Sequence, residues 1–544
     1  MTARRGGRRD SPDAAGAEFP HHLFRAYDIR GAAGSDLTAD LVARVGRALG
    51  VEARRGDGGG DGGGDGVGDG AGGRGASDGD GDGASIGDGK NRGIGRPEFV
   101  IARDGRASGP ELADALARGL MAGGCDVLDI GLAPTPVLYA TAAARGGNGV
   151  AVTASHNPPP DNGLKMMAGG VTLFDDAIQK LKQRIIDGDG DGDGGRDGDG
   201  DGDGDFPPDS ADGNAADGNV APAAPVLRQE DPLPAYRQKI AADIQLARRL
   251  KVVVDCGNGA AGVVAPQVFR DLGCEVVELF CAVDAAFPNH HPDPGRPENL
   301  RDLTAAVAAH RADFGMAFDG DGDRLGVVSG GGEIIWPDRL MLLFAAQVLS
   351  ANPGAEILFD VKCSQLLPRA IAAAGGVATM CKTGHSFIKD ALRASGAPLA
   401  GEMSGHLFFA DRWGGFDDAI YAGARLCELL AADQRDPAEV FAALPDTCNT
   451  PELRIDMAEG AHHELVAELA RELTAGGQFE DGEVTAIDGI RVDFARGFGL
   501  IRASNTSAAV IMRFEAGDQS QLKKIQSRFR RLLLNARPNL KLPF

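Results

Sequence analysis

The segment KVVVDCGNGAAGVVAPQVFRDLGCEVVELF, residues 251–280, has the pattern of a strand, a glycine-rich turn, a helix and a second strand. Its two branched apolar runs have the length of buried strands, and the residues between them favour a helix. Strands joined in this way pair in parallel through a right-handed crossover. Functional side chains in such sheets collect in the loops that follow the carboxyl ends of the strands. The segment therefore predicts an α/β fold.

The same alternation occurs on both sides of this segment. Upstream, EFVIARDG (98–105) and CDVLDIG (125–131) predict strands around an Ala/Leu-rich helix, and downstream EILFDVKCS (356–364) begins a third unit. The C-terminal part predicts a helix, strands separated by glycine turns, and a closing amphipathic helix over 519–536. We therefore predict an α/β protein with three α/β domains, whose sheets are mixed and mostly parallel, plus a C-terminal α+β domain. The expected domains cover residues 19–225, 226–330, 331–445 and 446–544.

Two Asp/Gly tracts interrupt the first domain, and we expect disordered insertions over 52–96 and 187–225. They lack the apolar side chains that would offset the entropy of ordering. A calcium-binding β-helix repeat is disfavoured, because neither tract has an apolar residue at a fixed place in each repeat. Residues 56–95 hold 8 Asp against 3 Lys/Arg and residues 187–219 hold 12 against 1, so the tracts carry 16 of the 22 net negative charges.

Composition excludes several classes of protein. The rest of the chain is only mildly acidic, so no basic field favours nucleic acid. No stretch has the length and apolar character of a membrane span, and the basic N-terminus is not followed by an apolar signal segment, so we expect a soluble cytoplasmic protein without a membrane partner. The eight cysteines are scattered without a CxxC pair, which disfavours a zinc site and indicates reduced thiols.

The run FDGDGDR, 318–324, differs from the tracts because apolar strand patterns flank it. Its two glycines allow a tight turn in which Asp319, Asp321 and Asp323 converge. Three carboxylates repel one another unless a hard cation such as Mg²⁺ lies among them. Arg324 is then placed to contact a phosphoryl oxygen. The alternative is an acidic turn without a ligand.

The segment VAVTASHNP, 150–158, runs from a strand pattern into a polar turn. Ser155 beside His156 fits a nucleophile next to a base, and Lys165 lies close enough in sequence to assist proton transfer or bind phosphate. The alternatives are a hydroxyl that caps a turn and a solvated lysine.

Three further polar loops follow strand or turn patterns. KTGHSFIKD contains His385, and GEMSGHLFF contains Glu402, Ser404 and His406, residue types suited to sugar hydroxyls and acid–base work. RASNTS, 502–507, concentrates hydrogen-bond donors suited to phosphate. Taken singly, each loop also fits an ordinary turn.

Taken together, five motifs resemble the α-D-phosphohexomutase superfamily in kind and order. They are YDIRG (27–31), TASHNP (153–158), DGDGDR (319–324), GEMSGH (401–406) and RASNT (502–506). The resemblance extends from about Phe24 to the C-terminus apart from the two tracts. It implies four domains around a central cleft and an enzyme that moves a phosphoryl group between O1 and O6 of a hexose phosphate through a hexose 1,6-bisphosphate.

The resemblance also implies roles for individual residues. Ser155 matches the phosphoserine, which with Asp319, Asp321 and Asp323 would hold Mg²⁺. The expected catalytic residues are Ser155, His156, Lys165, Arg324, His385 and His406. The expected substrate-binding residues are Tyr27, Arg30, Lys362, His385, Glu402, Ser404, His406, Arg502, Ser504, Asn505 and Thr506.

The expected partners are hexose phosphates, with glucose 1,6-bisphosphate or its mannose analogue as activator and the protein as a monomer. With Met between Glu402 and Ser404, the sugar loop resembles the mannose/glucose branch of the superfamily more than the glucosamine branch, which implies mannose and glucose phosphates as substrates. A phosphoglucosamine mutase and a non-catalytic sugar-phosphate-binding or calcium-binding protein are the alternatives. Ser507 and Ala508 replace the polar residue and Pro that usually follow RASNT, which predicts a looser loop.

Overall fold

The computed structural model describes residues 19–56, 96–188, 223–474, 476, 479–505 and 507–544. The central parts of both Asp/Gly tracts lie outside the described residues, so their expected disorder stays a prediction. One boundary differs from expectation, since the first long helix continues to Gly56 rather than ending before residue 52. Glu52, Ala53 and Arg54 are good helix formers, and Glu52 pairs with Arg184 at 3.0 Å.

Sheet 1 has seven strands in the order β1-β5-β4-β2-β3-β7, with β6 on β5. Its centre, β4-β2-β3-β7, is parallel, and β1 and β5 are antiparallel to their neighbours. The edge strand β7 (Leu227–Gln229) lies just beyond residue 226, where the second domain was expected to begin. The elements are β1 (Ile29–Ala32), α1 (Ala39–Gly56), β2 (Glu98–Arg103), α2 (Gly109–Ala122), β3 (Asp126–Leu132), α3 (Thr135–Ala143), β4 (Gly149–Val152), β5 (Asp161–Ala168), β6 (Val171–Thr172), α4 (Asp176–Ile186) and β7 (Leu227–Gln229).

Helices α1 and α2 cover one face of sheet 1 and pack closely against each other. A Cβ atom added to Gly119 would lie 2.0 Å from the carbonyl oxygen of Ala43, so glycine is required for this close approach. Their apolar faces bury Leu41, Val45 and Leu116 in one core with the sheet. This core fixes the strands from which the loop at residue 155 emerges.

Sheet 2 has five strands in the order β12-β11-β10-β8-β9. Strand β8 is parallel to β9 and β10, while β11 and β12 are antiparallel additions. The elements are α5 (Leu233–Asp243), β8 (Lys251–Asp255), α6 (Ala265–Asp271), β9 (Glu275–Leu279), α7 (Arg301–His310), β10 (Phe314–Phe318), β11 (Leu325–Ser329) and β12 (Ile334–Ile335).

Sheet 3 has four strands in the order β14-β13-β15-β16, and only the last pair is antiparallel. The elements are α8 (Pro337–Ala351), β13 (Glu356–Asp360), α9 (Leu366–Ala373), β14 (Val377–Cys381), α10 (His385–Ser395), β15 (Leu399–Gly401), β16 (Leu407–Phe409), α11 (Ala419–Ala432) and α12 (Pro437–Ala442).

Sheet 4 is antiparallel throughout, in the order β17-β22-β21-β20-β19 with β18 on β22. The elements are β17 (Cys448–Asn449), β18 (Leu453–Asp456), α13 (Ala461–Thr474), β19 (Gly482–Thr485), β20 (Ile490–Phe494), β21 (Gly497–Ala503), β22 (Ala509–Ala516) and α14 (Gln519–Ala536). The four sheets confirm the predicted fold class, three α/β units followed by an α+β unit.

Each of the first three sheets has a hairpin loop at the equivalent position, where a central parallel strand is followed by an antiparallel strand. In each, a strand parallel to the centre of the sheet ends in a short loop and returns as an antiparallel neighbour. These hairpins are β4–β5, β10–β11 and β15–β16. Their loops carry Ser155, the Asp319–Asp323 run and Glu402–His406, so three of the predicted motifs occupy equivalent positions.

The apolar core joins the first three sheets. One buried cluster includes Val100, Val252, Phe318 and Phe359, whereas sheet 4 has a separate core. The eight cysteines are free thiols. Within the described residues, no helix is both long and apolar enough to cross a bilayer.

Candidate active site

The acidic loop between β10 and β11 points three carboxylates toward one place. Asp319, Asp321 and Asp323 are fully buried, and one ligand atom from each lies within 4.8 Å of the others. Gly322 has φ of +76°, the left-handed conformation that lets the chain turn tightly there. Asp319 Oδ1 accepts hydrogen bonds from the backbone N–H groups of Asp323 and Arg324 at 3.0 and 3.1 Å.

This loop fits a hard cation. The buried Oδ1 atom of Asp321 has no hydrogen-bond partner within the described residues, an arrangement that costs free energy unless a ligand binds it. Burial, followed by repulsion from Asp323 and Asp321, raises the pKa of Asp319 well above its ordinary value. Oxygen donors on a tight turn are the ligands that a small divalent ion prefers. The acidic loop can therefore hold a metal ion.

Ser155 approaches the acidic loop from the β4–β5 hairpin. Its Oγ donates to Asp319 Oδ2 at 2.6 Å and lies 3.0 Å from His156 Nδ1. Its backbone has φ of +50°, which is strained for a residue with a side chain. Burial, with the charges of Arg324 and Arg30, lowers the pKa of His156 well below its ordinary value, so its ring is neutral.

Lys165 extends from β5 into the acidic loop. Its Nζ donates to Asp321 Oδ2 at 2.7 Å and also to Asp323 Oδ2. Burial opposes the charged amine, but the charges of Asp321 and Asp323 outweigh it and raise the pKa of Lys165. One positive charge is therefore fixed beside the carboxylates and close to Ser155.

The β15–β16 hairpin brings the sugar loop, residues 402–406, against the acidic loop. His406 Nδ1 lies 2.8 Å from Glu402 Oε2 and from Ser404 Oγ, and its Nε2 lies 3.4 Å from Asp323 Oδ1. Arg324 Nε lies 3.3 Å from His406 Nε2. Burial disfavours the imidazolium, but Asp323 and Glu402 raise the pKa of His406 to about 9.

His385 begins helix α10 and stacks on His406, with ring centroids 5.4 Å apart. Its Nδ1 lies 3.1 Å from Asp417 Oδ2, and burial lowers its pKa. Asp417, His406 and Asp323 also bring ligand atoms within 4.8 Å of one another. With its pKa raised to about 9, His406 is protonated near neutral pH and has no nitrogen lone pair for a metal, so the acidic loop is the better metal site.

Sheet 4 contributes the loop between β21 and β22. Arg502 Nε donates to Asp488 Oδ2 at 2.9 Å, and the same oxygen accepts the N–H of Thr383, in the loop that follows β14, at 3.0 Å. Ser504 Oγ lies 2.9 Å from Ser507 Oγ, which also accepts from Arg454 Nη1 at 2.9 Å. Ser507 thus ties the loop to β18. Thr506, an expected phosphate ligand, lies outside the described residues.

Tyr27 links three parts of the fold. Its hydroxyl donates to the carbonyl of Thr383 at 2.8 Å and accepts from Asn505 Nδ2. Arg30 on β1 donates to the carbonyl of Ala154 at 3.2 Å, directly before Ser155. The N-terminal motif therefore reaches the site from sheet 1.

Lys362 follows β13, and its Nζ donates to Glu452 Oε1 at 2.8 Å. The predicted site residues that the structure describes lie on the three hairpins and on the segments that carry Tyr27, Arg30, Lys362, His385 and Arg502. Several polar residues that hold these groups were not predicted from the sequence. They are Asp104, Arg106, Asp360, Lys389, Asp417, Glu452 and Asp488. Asp104 and Arg106 follow strand β2, so their place at a strand end was a usable signal.

Comparisons with known proteins give the same four-part division. Family models match in the order phosphoglucomutase/phosphomannomutase alpha/beta/alpha domain I (residues 84–190), domain II (234–332), domain III (336–448) and C-terminal domain (452–532).

Curated relatives match over nearly the full length. A phosphomannomutase/phosphoglucomutase of Pseudomonas aeruginosa is 44% identical over 97% of this chain and 98% of the relative. A phosphoglucomutase of Neisseria gonorrhoeae is 43% identical over 96% and 99%. The crystal structure of a phosphoglucomutase/phosphomannomutase family protein from Burkholderia thailandensis has a TM-score of 0.78 and 44% identity, covering 96% of this chain and 99% of that one. The chain therefore belongs to the phosphoglucomutase/phosphomannomutase family.

Proposed function

We propose that this chain is a phosphomannomutase/phosphoglucomutase, which moves a phosphoryl group reversibly between O1 and O6 of mannose and glucose phosphates. The observation that carries the proposal is the position of Ser155, whose hydroxyl contacts the acidic loop at 2.6 Å. The sugar loop contacts the same acidic loop through His406. The relatives at 42–44% identity that are named for this activity support it.

In the proposed reaction, Ser155 carries a phosphoryl group. A free hydroxyl of the hexose phosphate attacks phosphorus, so that a new O–P bond forms while the bond from Ser155 Oγ to phosphorus breaks. The hydroxyl proton passes to a base and is then available to the Ser155 oxygen. The product is a hexose 1,6-bisphosphate, and the reverse step at its other end returns a phosphoryl group to Ser155. No net phosphate is consumed. An enzyme that has lost its phosphate would be phosphorylated again on Ser155 by glucose 1,6-bisphosphate.

Asp319, Asp321, Asp323 and the Ser155 phosphate would hold Mg²⁺. When bound, this ion neutralises charge on the transferring phosphoryl group. Lys165, which is charged and lies beside the carboxylates, is placed to bind the oxygens of the transferring phosphoryl group. Arg324, just before β11, lies 4.0 Å from Asp319 Oδ2 and would contact the same phosphoryl oxygens.

Neutral histidine side chains of the site loops would carry out the proton transfer. Burial lowers the pKa of His385, so its free ring can accept a proton near neutral pH. Asp417 lies against its Nδ1 at 3.1 Å, which leaves Nε2 to face the substrate as acceptor. His156, also neutral, contacts the Ser155 hydroxyl.

The remaining predicted residues bind the substrate in this proposal. Glu402 and Ser404 would hydrogen-bond sugar hydroxyls, with Tyr27, Arg30 and Lys362 around them. The distal phosphate would contact Arg502, Ser504, Asn505 and Thr506. The bisphosphate must turn around between the two steps, so this clamp would accept either end and the C-terminal domain would open and close.

We further propose the domain division given above, with the first sheet extended to Gln229. That the enzyme is a cytoplasmic monomer stays a prediction.

The test is turnover of mannose 1-phosphate, glucose 1-phosphate and glucosamine 1-phosphate with a trace of glucose 1,6-bisphosphate. We expect comparable kcat/KM for the first two and a much lower value for the third. Preference for glucosamine 1-phosphate would identify a phosphoglucosamine mutase instead. Binding of all three without turnover would identify a non-catalytic sugar-phosphate-binding protein.

A further inference from the structure

Arg106, in the turn that follows β2, uses every hydrogen-bond donor of its guanidinium group. Nη2 donates to the carbonyls of Ser155 and Asn157 at 2.8 and 2.7 Å, and Nη1 to those of Pro158 and Asp161 at 2.7 and 2.8 Å. Nε donates to a carboxylate oxygen of the neighbouring aspartate, residue 104, at 3.0 Å. Arginine has five N–H donors in a fixed plane, and all five are engaged here. The side chain is buried, so water does not compete for these bonds.

The other side of Ser155 is held as well. Its backbone N–H donates to Thr153 Oγ1 at 2.9 Å, and that hydroxyl donates to Asp104 Oδ2 at 2.7 Å. The same Asp104 oxygen accepts from Arg106 Nε. The N–H and the C=O of Ser155 are therefore both fixed by one connected group, which we call the Ser155 clamp: Asp104, Arg106 and Thr153.

The clamp explains a conformation that the local sequence does not favour. Ser155 has φ of +50°, and the following residues 158–160 are prolines, which have no N–H to donate to the loop. Four carbonyls directed to one cation replace the missing backbone hydrogen bonds. A strained backbone of this kind persists only where its surroundings over-determine it.

The fixed backbone also sets the direction of the Ser155 side chain. A Cβ atom added to Gly320 would lie 2.2 Å from the carbonyl oxygen of Ser155, so the acidic loop closes against the backbone that Arg106 holds. On the same residue, Oγ reaches Asp319 at 2.6 Å. A change in φ of Ser155 would turn the Cα–Cβ bond, and with it Oγ, away from the acidic loop.

We propose that Arg106 is a positioning residue, which with Asp104 and Thr153 fixes the backbone of Ser155 so that Oγ is aligned for phosphoryl transfer at the acidic loop. This inference rests on the proposed role of Ser155 as the phosphorylated residue. Arg106 touches neither the sugar nor the transferred phosphoryl group. Its replacement should therefore slow phosphoryl transfer and leave sugar binding intact.

Lysine is the discriminating replacement, because it keeps the charge but supplies three donors on a single atom instead of five in a plane. The matched control is Arg425→Lys. Arg425 lies on helix α11, away from the Ser155 loop, and is as deeply buried as Arg106. Its guanidinium donates to Asp411 and Gln347 at 2.9 and 3.0 Å. Thr153→Val and Thr153→Ser form a second matched pair on the N–H side of Ser155.

Three quantities are measured on the full chain: kcat and KM for glucose 1-phosphate, the thermal midpoint, and the rate at which Ser155 gains a phosphate from glucose 1,6-bisphosphate, followed by intact mass. For Arg106→Lys we expect kcat and the phosphorylation rate to fall together by about 10²-fold, the size of effect that a displacement of about 1 Å produces. KM should change by less than about threefold, as expected where substrate binding is unaltered. Arg425→Lys should lower the thermal midpoint without lowering either rate, and Thr153→Val should be slow where Thr153→Ser is not.

Wild-type phosphorylation and turnover in Arg106→Lys would overturn the inference, and so would equal losses in Arg425→Lys. If Arg106→Lys does not unfold cooperatively, the Thr153 pair decides, and equal rates for Val and Ser would overturn the inference. Failure of the proposed function has a different signature: the wild-type protein would gain no phosphate on Ser155, whatever the variants do.

Discussion

Ser155 Oγ donates a 2.6 Å hydrogen bond to Asp319 Oδ2, although 164 positions separate the two residues in the chain. The bond joins the hairpin loop of sheet 1 to the hairpin loop of sheet 2. It puts a hydroxyl nucleophile at the edge of a cluster of buried carboxylates. A phosphate on that hydroxyl and a metal ion among the carboxylates would meet at this point, which is the geometric requirement of the proposed reaction.

Metal binding is expected to stabilise the wild-type protein more than an Asp319→Asn variant. A ligand that binds only the folded state raises stability with the logarithm of its concentration relative to Kd. The buried Oδ1 atom of Asp321 has no hydrogen-bond partner within the described residues, so a bound metal ion would supply a partner for an oxygen that is costly to bury alone. Thermal midpoints measured with a chelator and with Mg²⁺ should differ for the wild type and hardly differ for Asp319→Asn. The same shift in both proteins would place the ion elsewhere.

Tyr27→Phe is expected to raise KM with little change in kcat. The change removes the hydrogen bond to the carbonyl of Thr383 and the contact with Asn505, both of which join separate sheets. Burial raises the pKa of the Tyr27 phenol, so it remains a neutral donor in the working pH range. One such bond contributes about 1 kcal/mol, or about fivefold in KM.

Tyr236→Phe is the control for this substitution. Tyr236 is buried and donates to Asp418 at 2.8 Å, in the interior rather than between the site loops. It should lower the thermal midpoint without changing KM. Equal KM values for Tyr27→Phe and the wild type would contradict a role for Tyr27 in holding the site closed.

His290 should make the stability of the protein depend on pH. Its Nε2 lies 3.1 Å from Asp255 Oδ2, and although burial opposes the charge, the hydrogen bond and charge of Asp255 raise its pKa. The folded state therefore binds the proton more tightly than the unfolded state. The stabilisation is complete below the ordinary histidine pKa of about 6.5 and is lost as pH rises through the raised value.

The measurement is the difference in thermal midpoint between the wild type and His290→Asn at pH 6 and pH 9. At pH 6 the wild type should be more stable than His290→Asn by about 1 kcal/mol, the size expected for a charge-assisted hydrogen bond that is partly exposed. This difference in stability should shrink at pH 9. A difference that grows with pH would contradict the assignment of a charged His290.

Replacing 57–95 and 189–222 by short Gly-Ser linkers is expected to leave kcat and KM within about twofold of the full chain, as at other tolerant surface junctions. All described site residues lie outside these segments. A large fall in kcat with an unchanged thermal midpoint would show that the acidic tracts take part in the reaction.

Much of the fold was predictable because its signals are local. The strand, helix, strand pattern of 251–280 appears as β8, α6 and β9, and the C-terminal helix predicted over 519–536 is α14. The acidic loop was separable from the tracts because strand patterns flank it, and those patterns are β10 and β11. Family membership, predicted from five motifs in one order, is confirmed.

The groups that hold the motifs were less accessible, because their partners are distant in sequence. Arg106 contacts carbonyl oxygens about fifty positions away, and backbone carbonyls carry no residue identity that a pattern could reveal. Asp417 lies in a loop whose sequence has no recognisable motif, and only its contacts with His385 and Lys389 in the structure indicate its role. Local sequence patterns therefore predicted the residues proposed for the chemistry more readily than the residues that hold them in position.

The phosphate on Ser155 is followed through one turnover in the most direct test of the mechanism. The protein is charged with glucose 1,6-bisphosphate that carries radioactive phosphate, freed of excess ligand and mixed with unlabelled glucose 1-phosphate, and the label on the protein and in glucose 6-phosphate is recorded over time beside Ser155→Ala. We predict that the wild type carries the label on Ser155 and passes it to the sugar at least as fast as kcat while an unlabelled phosphate takes its place, and that Ser155→Ala takes up no label and is inactive. Turnover by Ser155→Ala, or label that stays on Ser155 while the substrate is converted, would contradict the proposed mechanism.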